Sequence, residues 1–267
     1  VRPRWRLLAD GALPGATNMA RDVAALEAVA AGAAPPTVRL YAWDPPCLSL
    51  GRHQPVAAAD LAFCGREGIH VVRRPTGGRA VLHHLELTYA VVAPLGETLP
   101  AGAQAAYRLI SAGLVRALGV LGVGAELTPE AASRALPHPT SAVPCFRAPA
   151  GGEVVVRGRK VVGSAMRVHR GVILQHGAIL LGWDGRLQAG AVGLPDDGTL
   201  RPFVTTLADE LGAPPEPAAV AAAVAEGLER ELGVRLEPGG WRAEELERAA
   251  ALEGRFAVDG EGAEGAA

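Results

Sequence analysis

The sequence predicts an α+β fold, a mixed and largely antiparallel β-sheet flanked by helices. Three observations carry this expectation. Between Glu153 and Leu181, valine-rich runs are divided by Gly158–Arg159 and by His169–Gly171, and short β-branched segments split by glycine-containing breaks read as hairpins. Apolar residues recur at helical spacing after Asn18, from Ala101 to Leu121 and from Ala218 to Leu232. Strands and helices are thus interleaved without the strict alternation of a doubly wound parallel sheet.

The elements follow in order. Trp5–Leu8 is a short apolar opening that reads as an edge strand. Asn18, the only asparagine, stands before MARDVAALEAVAAG and reads as a helix N-cap, with Gly32 closing the helix. Thr37–Trp43 and Cys47–Leu50 are strands joined by a turn around Asp44, Pro45 and Pro46. Cys47 on the second strand and Cys64 beside Phe63 read as small buried hydrophobes. Gly51, Arg52 and His53 read as a solvated turn. Ile69–Arg73 is a strand that runs into PTGGRAVLHHLELTYAVV, which ends as a strand at Val92. In that Gly-Gly turn the backbone can approach a ligand, and Arg74 or Arg79 can meet a phosphate or carboxylate through two bonds, although most such turns are structural. Gly122–Leu127 is β-like, Arg201–Leu211 helical, Val234–Leu236 a returning strand and Arg242–Leu252 a charged helix. The last residues, GRFAVDGEGAEGAA, read as a disordered tail.

Composition narrows the function. The chain has 267 residues, a formal net charge of −2 and 20% charged residues, so no global field recruits nucleic acid or an anionic membrane. No eighteen-residue apolar run and no signal-peptide pattern occur, which predicts a cytoplasmic protein. Three cysteines and seven histidines lack metal-ligand spacing, and an odd cysteine count suits a reducing compartment. Neither a metal nor a cofactor is expected.

The 26 basic residues comprise 25 arginines and one lysine, Lys160. A lysine kept under such pressure points to a task arginine cannot perform, because Lys is a compact point charge whose pKa moves on burial. Cys145 lies upstream, after a Pro-rich connection from Pro137 to Pro144. An ammonium near a thiol lowers its pKa from about 8.5 and stabilises the oxyanion formed when the thiolate attacks a thioester. The alternative is a Cys–His pair with His83 or His176 as base.

With these residues in view, the chain resembles the biotin/lipoate protein ligase and octanoyltransferase superfamily, and within it the Cys-dependent octanoyltransferases. The likeness spans roughly Trp5 to Arg235. It rests on NMARD (18–22), RRPTGGRAVLH (73–83), ELTY (86–89), CF (145–146), GRKVVGSA (158–165) and GVILQHGAILL (171–181), in that order. Two positions depart from the family pattern: His84 stands where Asp is usual, and Met166 where Gln is usual.

The resemblance implies a biotin/lipoate ligase-type catalytic domain over residues 1–236, a C-terminal helix over 237–253 and a tail over 254–267. It implies that Cys145 forms an octanoyl thioester taken from octanoyl-acyl carrier protein, with Lys160 lowering the thiol pKa and contacting the acyl carbonyl. The acceptor it implies is a lipoyl-domain lysine such as that of the glycine-cleavage H protein. Arg74, Gly77, Gly78, Arg79 and His83 would border the ligand, and Gly163, Ser164 and Ala165 would form small walls along the chain. The rival readings are an ATP-dependent lipoate–protein ligase, an octanoyl amidotransferase between lipoyl domains, and a non-catalytic module that docks acylated carriers.

Overall fold

The computed structural model describes residues 2–129 and 151–258. Cys145, the Pro137–Pro144 connection and residues 259–267 lie outside them.

The described residues form a large and a small sheet. The large sheet has the order β11-β1-β2-β6-β10-β9-β8-β7, from Arg235–Pro238 (β11), Arg4–Leu13 (β1), Thr37–Trp43 (β2), Glu86–Pro94 (β6), Val172–Leu180 (β10), Arg159–His169 (β9), Val154–Val156 (β8) and Glu126–Leu127 (β7). The pairs β11–β1 and β1–β2 are parallel, and the other five are antiparallel. The expected mixed, largely antiparallel sheet is therefore present, with both central hairpins in place. Cys47–Leu50 (β3), His70–Arg73 (β4) and Val81–His83 (β5) form a second sheet, ordered β4-β3-β5. Residues 37–43 and 47–50 are two strands as expected, yet the turn between them carries the chain from one sheet to the other.

Helices cover both faces of the large sheet. Ala103–Val120 (α3) and Pro217–Leu232 (α6) pack on one face over Val38, Tyr89, Val91 and Ile173. They approach closely because both carry glycine at the crossing: a Cβ on Gly227 would meet the backbone of Gly113 and Ala117. Gly15–Ala30 (α1) covers the other face over Tyr41, Ala90, Val92 and Leu174. Ala243–Leu252 (α7) packs Ala249 and Leu252 on Met19, Ala20 and Val23 of α1. Arg6 of β1 holds α7 by two bonds of 2.6 Å to Glu245. Each fully buried Leu, Val or Ile in these layers contributes about 1.5–3 kcal/mol.

Four expectations are corrected. The tail read as disordered from Gly254 is held at its start, where Phe256 is buried beside Met19 and Val72, its carbonyl accepts from the Arg73 N–H at 2.8 Å and Ala257 bridges to Val72. Trp5–Leu8 is not an edge strand, because β11 pairs outside it. Asn18 is not an N-cap: α1 begins at Gly15 after Pro14, and Asn18 is fully buried inside it. Its Nδ2 donates to the carbonyls of Leu13 and Ala42, and its Oδ1 accepts from Arg39. Residues 201–211 are not one helix. A 3₁₀ turn at Arg201–Phe203 and a short helix at Leu207–Leu211 (α5) are split where Val204 bridges to Lys160 and the Thr205 N–H donates to the Lys160 carbonyl at 2.9 Å.

Candidate active site

A β-bulge places Lys160. In β9, Val162 pairs with Val154, while Lys160 pairs with Val155, so Val161 is an extra residue. Strict alternation would put Lys160 on the face of Val162 and Ser164. The bulge instead turns it to the face of Gly163 and Ala165, while Val161 and Val162 both enter the core under α3 and α6. Gly163 and Ala165 lie opposite Ala178 and His176 of β10. The Lys160 side chain is wholly buried, and its Nζ donates to Glu153 Oε1 at 2.5 Å.

On that face a cavity opens between the large sheet and the small one. It contains about 430 Å³ of empty space, counted out through its mouth. Gly163, Ser164, Ala165, His176, Gly177 and Ala178 form one wall; Ser49, Arg74, Gly78, Val81 and His83 form the opposite one, and Met19, Tyr41, Trp43 and Thr88 complete it. Gly177 is required there because a Cβ would come within 2.5 Å of the Gly163 carbonyl.

Arg74 shapes the Gly-Gly turn. Its Nε and Nη2 donate to the Gly77 carbonyl at 3.1 and 2.7 Å, and Nη2 also donates to the Arg79 carbonyl at 2.7 Å. Its Nη1 donates to the Ser49 carbonyl at 2.9 Å and to Ser49 Oγ at 3.1 Å. Gly78 has φ +93°, a conformation costly for other residues, and Gly51 is pressed against its carbonyl. The expected solvated turn therefore holds for Arg52 and His53 but not for Gly51, which is buried.

Two buried polar networks reach the cavity. In the first, His176 shares a 2.7 Å hydrogen bond with Thr76 Oγ1 through Nε2 and a 2.8 Å bond with Asp22 Oδ2 through Nδ1. Asp22 also accepts from Arg39 Nη1 at 2.8 Å and the Tyr41 hydroxyl at 2.9 Å, and Arg39 Nε continues to Asp10 at 2.7 Å. Burial opposes ionisation of Asp22, but its bond to His176 and the charges of Arg39 and His176 prevail and hold its carboxyl below the usual range. In the second, His83 Nε2 shares a 2.8 Å bond with Ser49 Oγ and Nδ1 a 3.1 Å bond with Glu86 Oε1. The Trp43 ring stacks on His83 with centroids 3.9 Å apart, and its Nε1 donates to Thr88 Oγ1, which donates to Glu86.

Of the residues singled out from sequence, Arg74, Gly78, His83, Gly163, Ser164 and Ala165 line the cavity. Gly77 and Arg79 stand on the same turn outside its lining, and Lys160 is also outside the lining, its side chain on Glu153. Both ring nitrogens of His83 and of His176 are engaged. Met166 packs against the core under α3 and α6, so this departure falls on the face away from the cavity. Burial raises the Cys64 thiol to about 11 and raises Cys47 as well, which leaves both inert. Asp22, Ser49 and Glu86 are the polar residues sequence reasoning passed over. Asp22 and Glu86 sit within NMARD and ELTY; Ser49 has no local signal.

The chain matches the family described as the lipoyl protein ligase A/B catalytic domain over residues 14–229. It is 44% identical over 266 residues to octanoyltransferase LipM of Kyrpidia tusciae, covering 96% of this chain and 97% of the relative. Octanoyltransferase LipM of Symbiobacterium thermophilum is 42% identical over 274 residues, with coverage of 97% and 98%. In fold, the crystal structure of lipoate-protein ligase A bound with ATP superimposes with a TM-score of 0.77 at 22% identity, over 96% of this chain and 95% of that one. A bipartite lipoate protein ligase from Thermoplasma acidophilum gives 0.72 at 22% identity, over 95% and 93%. With the family model covering most of its length, the chain belongs to the lipoyl protein ligase A/B catalytic domain family.

Proposed function

We propose that this acyltransferase moves an octanoyl group from octanoyl-acyl carrier protein to a lipoyl-domain lysine, that of the glycine-cleavage H protein among them, in lipoate biosynthesis in the cytoplasm. The Cys145 thiolate attacks the carrier thioester, the carrier thiolate leaves, and an acyl-Cys145 thioester remains. The acceptor amine then attacks this thioester, the C–S bond breaks, and an amide forms. The role given to Lys160 is to favour the thiolate by its charge and to stabilise the oxyanion in both steps. The cavity between Gly163, Ala165, Gly177 and Ala178 takes the acyl chain, with Arg74, Gly77, Gly78, Arg79 and His83 at its border. Residues 1–236 are the catalytic domain, followed by the helix at 237–253, which packs on α1, and by the tail.

The observation that carries this reading is the sole lysine of the chain, buried and turned by a bulge to the face of a small-residue cavity. It is joined by near-complete coverage of relatives named octanoyltransferase. Intact mass after mixing the protein with octanoyl-acyl carrier protein, without ATP, tests it. A hydroxylamine-labile octanoyl adduct, absent from Cys145→Ala, is the expected result. No adduct, together with acceptor labelling that needs ATP and free octanoate or lipoate, would make the protein a ligase.

A further inference from the structure

A second groove lies on the other side of Trp43 from the acyl cavity, with about 1000 Å³ of empty space counted out through its mouth. Its walls are Ala42, Trp43, Leu85, Leu181 and the Pro214–Pro217 segment. Among the described residues its titratable side chains are His84 and two carboxylates, Glu86 and Glu216, and neither arginine nor lysine lines it. Glu216 is on the exposed lip. The Glu86 side chain is only 2% exposed, and its Oε2 is buried without a hydrogen-bond partner among the described residues. Its other oxygen is committed to His83 and Thr88. A buried, half-satisfied carboxylate is costly unless a donor arrives to complete it.

From this we infer that the groove is the binding site for a primary alkylammonium, the side chain of the acceptor lysine, with Glu86 as its anchor. A lysyl side chain is an apolar stem ending in a compact cation with three donors, and the groove offers apolar walls ending at a buried carboxylate. Arginine is a poorer fit, because one unpartnered oxygen cannot match its fork. The groove also adjoins the acyl cavity: Trp43 lines both, and Glu86 holds the Nδ1 of His83, which lines the acyl cavity. Glu86 is also the proton acceptor: it takes one ammonium proton on Oε2, and the neutral amine attacks the acyl carbonyl. The C–S bond breaks as the C–N bond forms, the departing thiolate takes the second proton, and Glu86 returns the first to water. The lysine's identity as the acceptor rests on the octanoyl-transfer reading; the cation site does not.

The test uses Glu86→Gln in the full chain, with two readouts. Transfer to a lipoyl domain is expected to fall at least about tenfold further than formation of the octanoyl adduct, as loss of a charged hydrogen bond requires. In amide-proton spectra, n-butylammonium chloride is expected to shift the Trp43 indole N–H of the wild type but not of the variant. Transfer at the wild-type rate, equal loss of acylation and transfer, or no shift in the wild type would each overturn the site. No adduct in the wild type, with the Trp43 shift intact, would instead overturn the octanoyl reading and leave the cation site standing.

Discussion

Lys160 Nζ donates to Glu153 Oε1 at 2.5 Å, with side-chain exposures of 0% and 7%. Removing one partner of a buried pair strands the other charge, at a cost of about 3–5 kcal/mol. Lys160→Met is therefore expected to lose that much stability in urea titration and to lose the octanoyl adduct. The double variant Lys160→Met/Glu153→Met removes both charges and is expected to regain most of the stability without regaining acylation. Recovery of acylation in the double variant would reduce Lys160 to a structural residue.

Asp22 is the acid-sensitive joint between α1 and the sheet. Its folded pKa is held below the ordinary 3.8 by the His176 bond and the Arg39 charge against the opposing effect of burial. A depressed carboxylate pKa adds stability that is fully present above the unfolded value and is lost as pH falls through the folded one. The same sign holds for Glu245, whose burial is outweighed by its bond to Arg6. Urea midpoints are expected to hold above about pH 5 and to fall as the pH is lowered below about 4. Asp22→Asn is expected to be less stable by about 3–5 kcal/mol at pH 7, because Arg39 is left buried with one charge partner fewer, and to show a shallower acid limb. An unchanged acid limb would remove Asp22 from this account.

Gly51 and Gly65 are expected to respond in opposite directions to alanine. A Cβ on Gly51 would overlap the Gly78 carbonyl, which is backbone and cannot step aside without moving the turn that Arg74 holds. Gly51→Ala is expected to cost about 1–3 kcal/mol and to reduce acyl transfer. Gly65 is exposed inside the short helix Leu61–Arg66 (α2) with nothing within 4 Å, so Gly65→Ala is expected to stabilise by about 0.4–1 kcal/mol and to leave activity alone. Paired melting curves and transfer assays check both.

Local pattern revealed the elements more readily than their placement. The hairpins from Glu153 to Leu181 were legible because β-branched runs and positive-φ breaks at Arg157–Gly158 and Arg170–Gly171 are local properties. The second sheet was not, since nothing near Cys47 reveals that β3 leaves β2 to pair with β4 and β5. Asn18 stands out as a lone asparagine, but its role is not local, because its partners Ala42 and Arg39 lie 24 and 21 residues away. The Lys160 motif was legible, but the face it occupies depends on a one-residue bulge that alternation cannot anticipate. Ser49 gained meaning only when the fold brought it to His83, 34 residues on.

Ala165 offers a direct test of where the acyl chain lies. It shares the cavity face with Gly163 and sits opposite His176, whose ring is fixed by Asp22 and Thr76. A larger side chain at 165 cannot be relieved by rotating that histidine, so it must project into the cavity. Ala165→Val is expected to retain the fold, because strands favour β-branched residues, and to shorten the space for the chain. Its transfer of octanoyl is expected to fall about tenfold or more while transfer of butanoyl stays within about threefold, in line with 1–3 kcal/mol per misfit methylene. Equal loss for both acyl lengths would place the chain elsewhere, and an unchanged octanoyl rate would remove this wall from the substrate path.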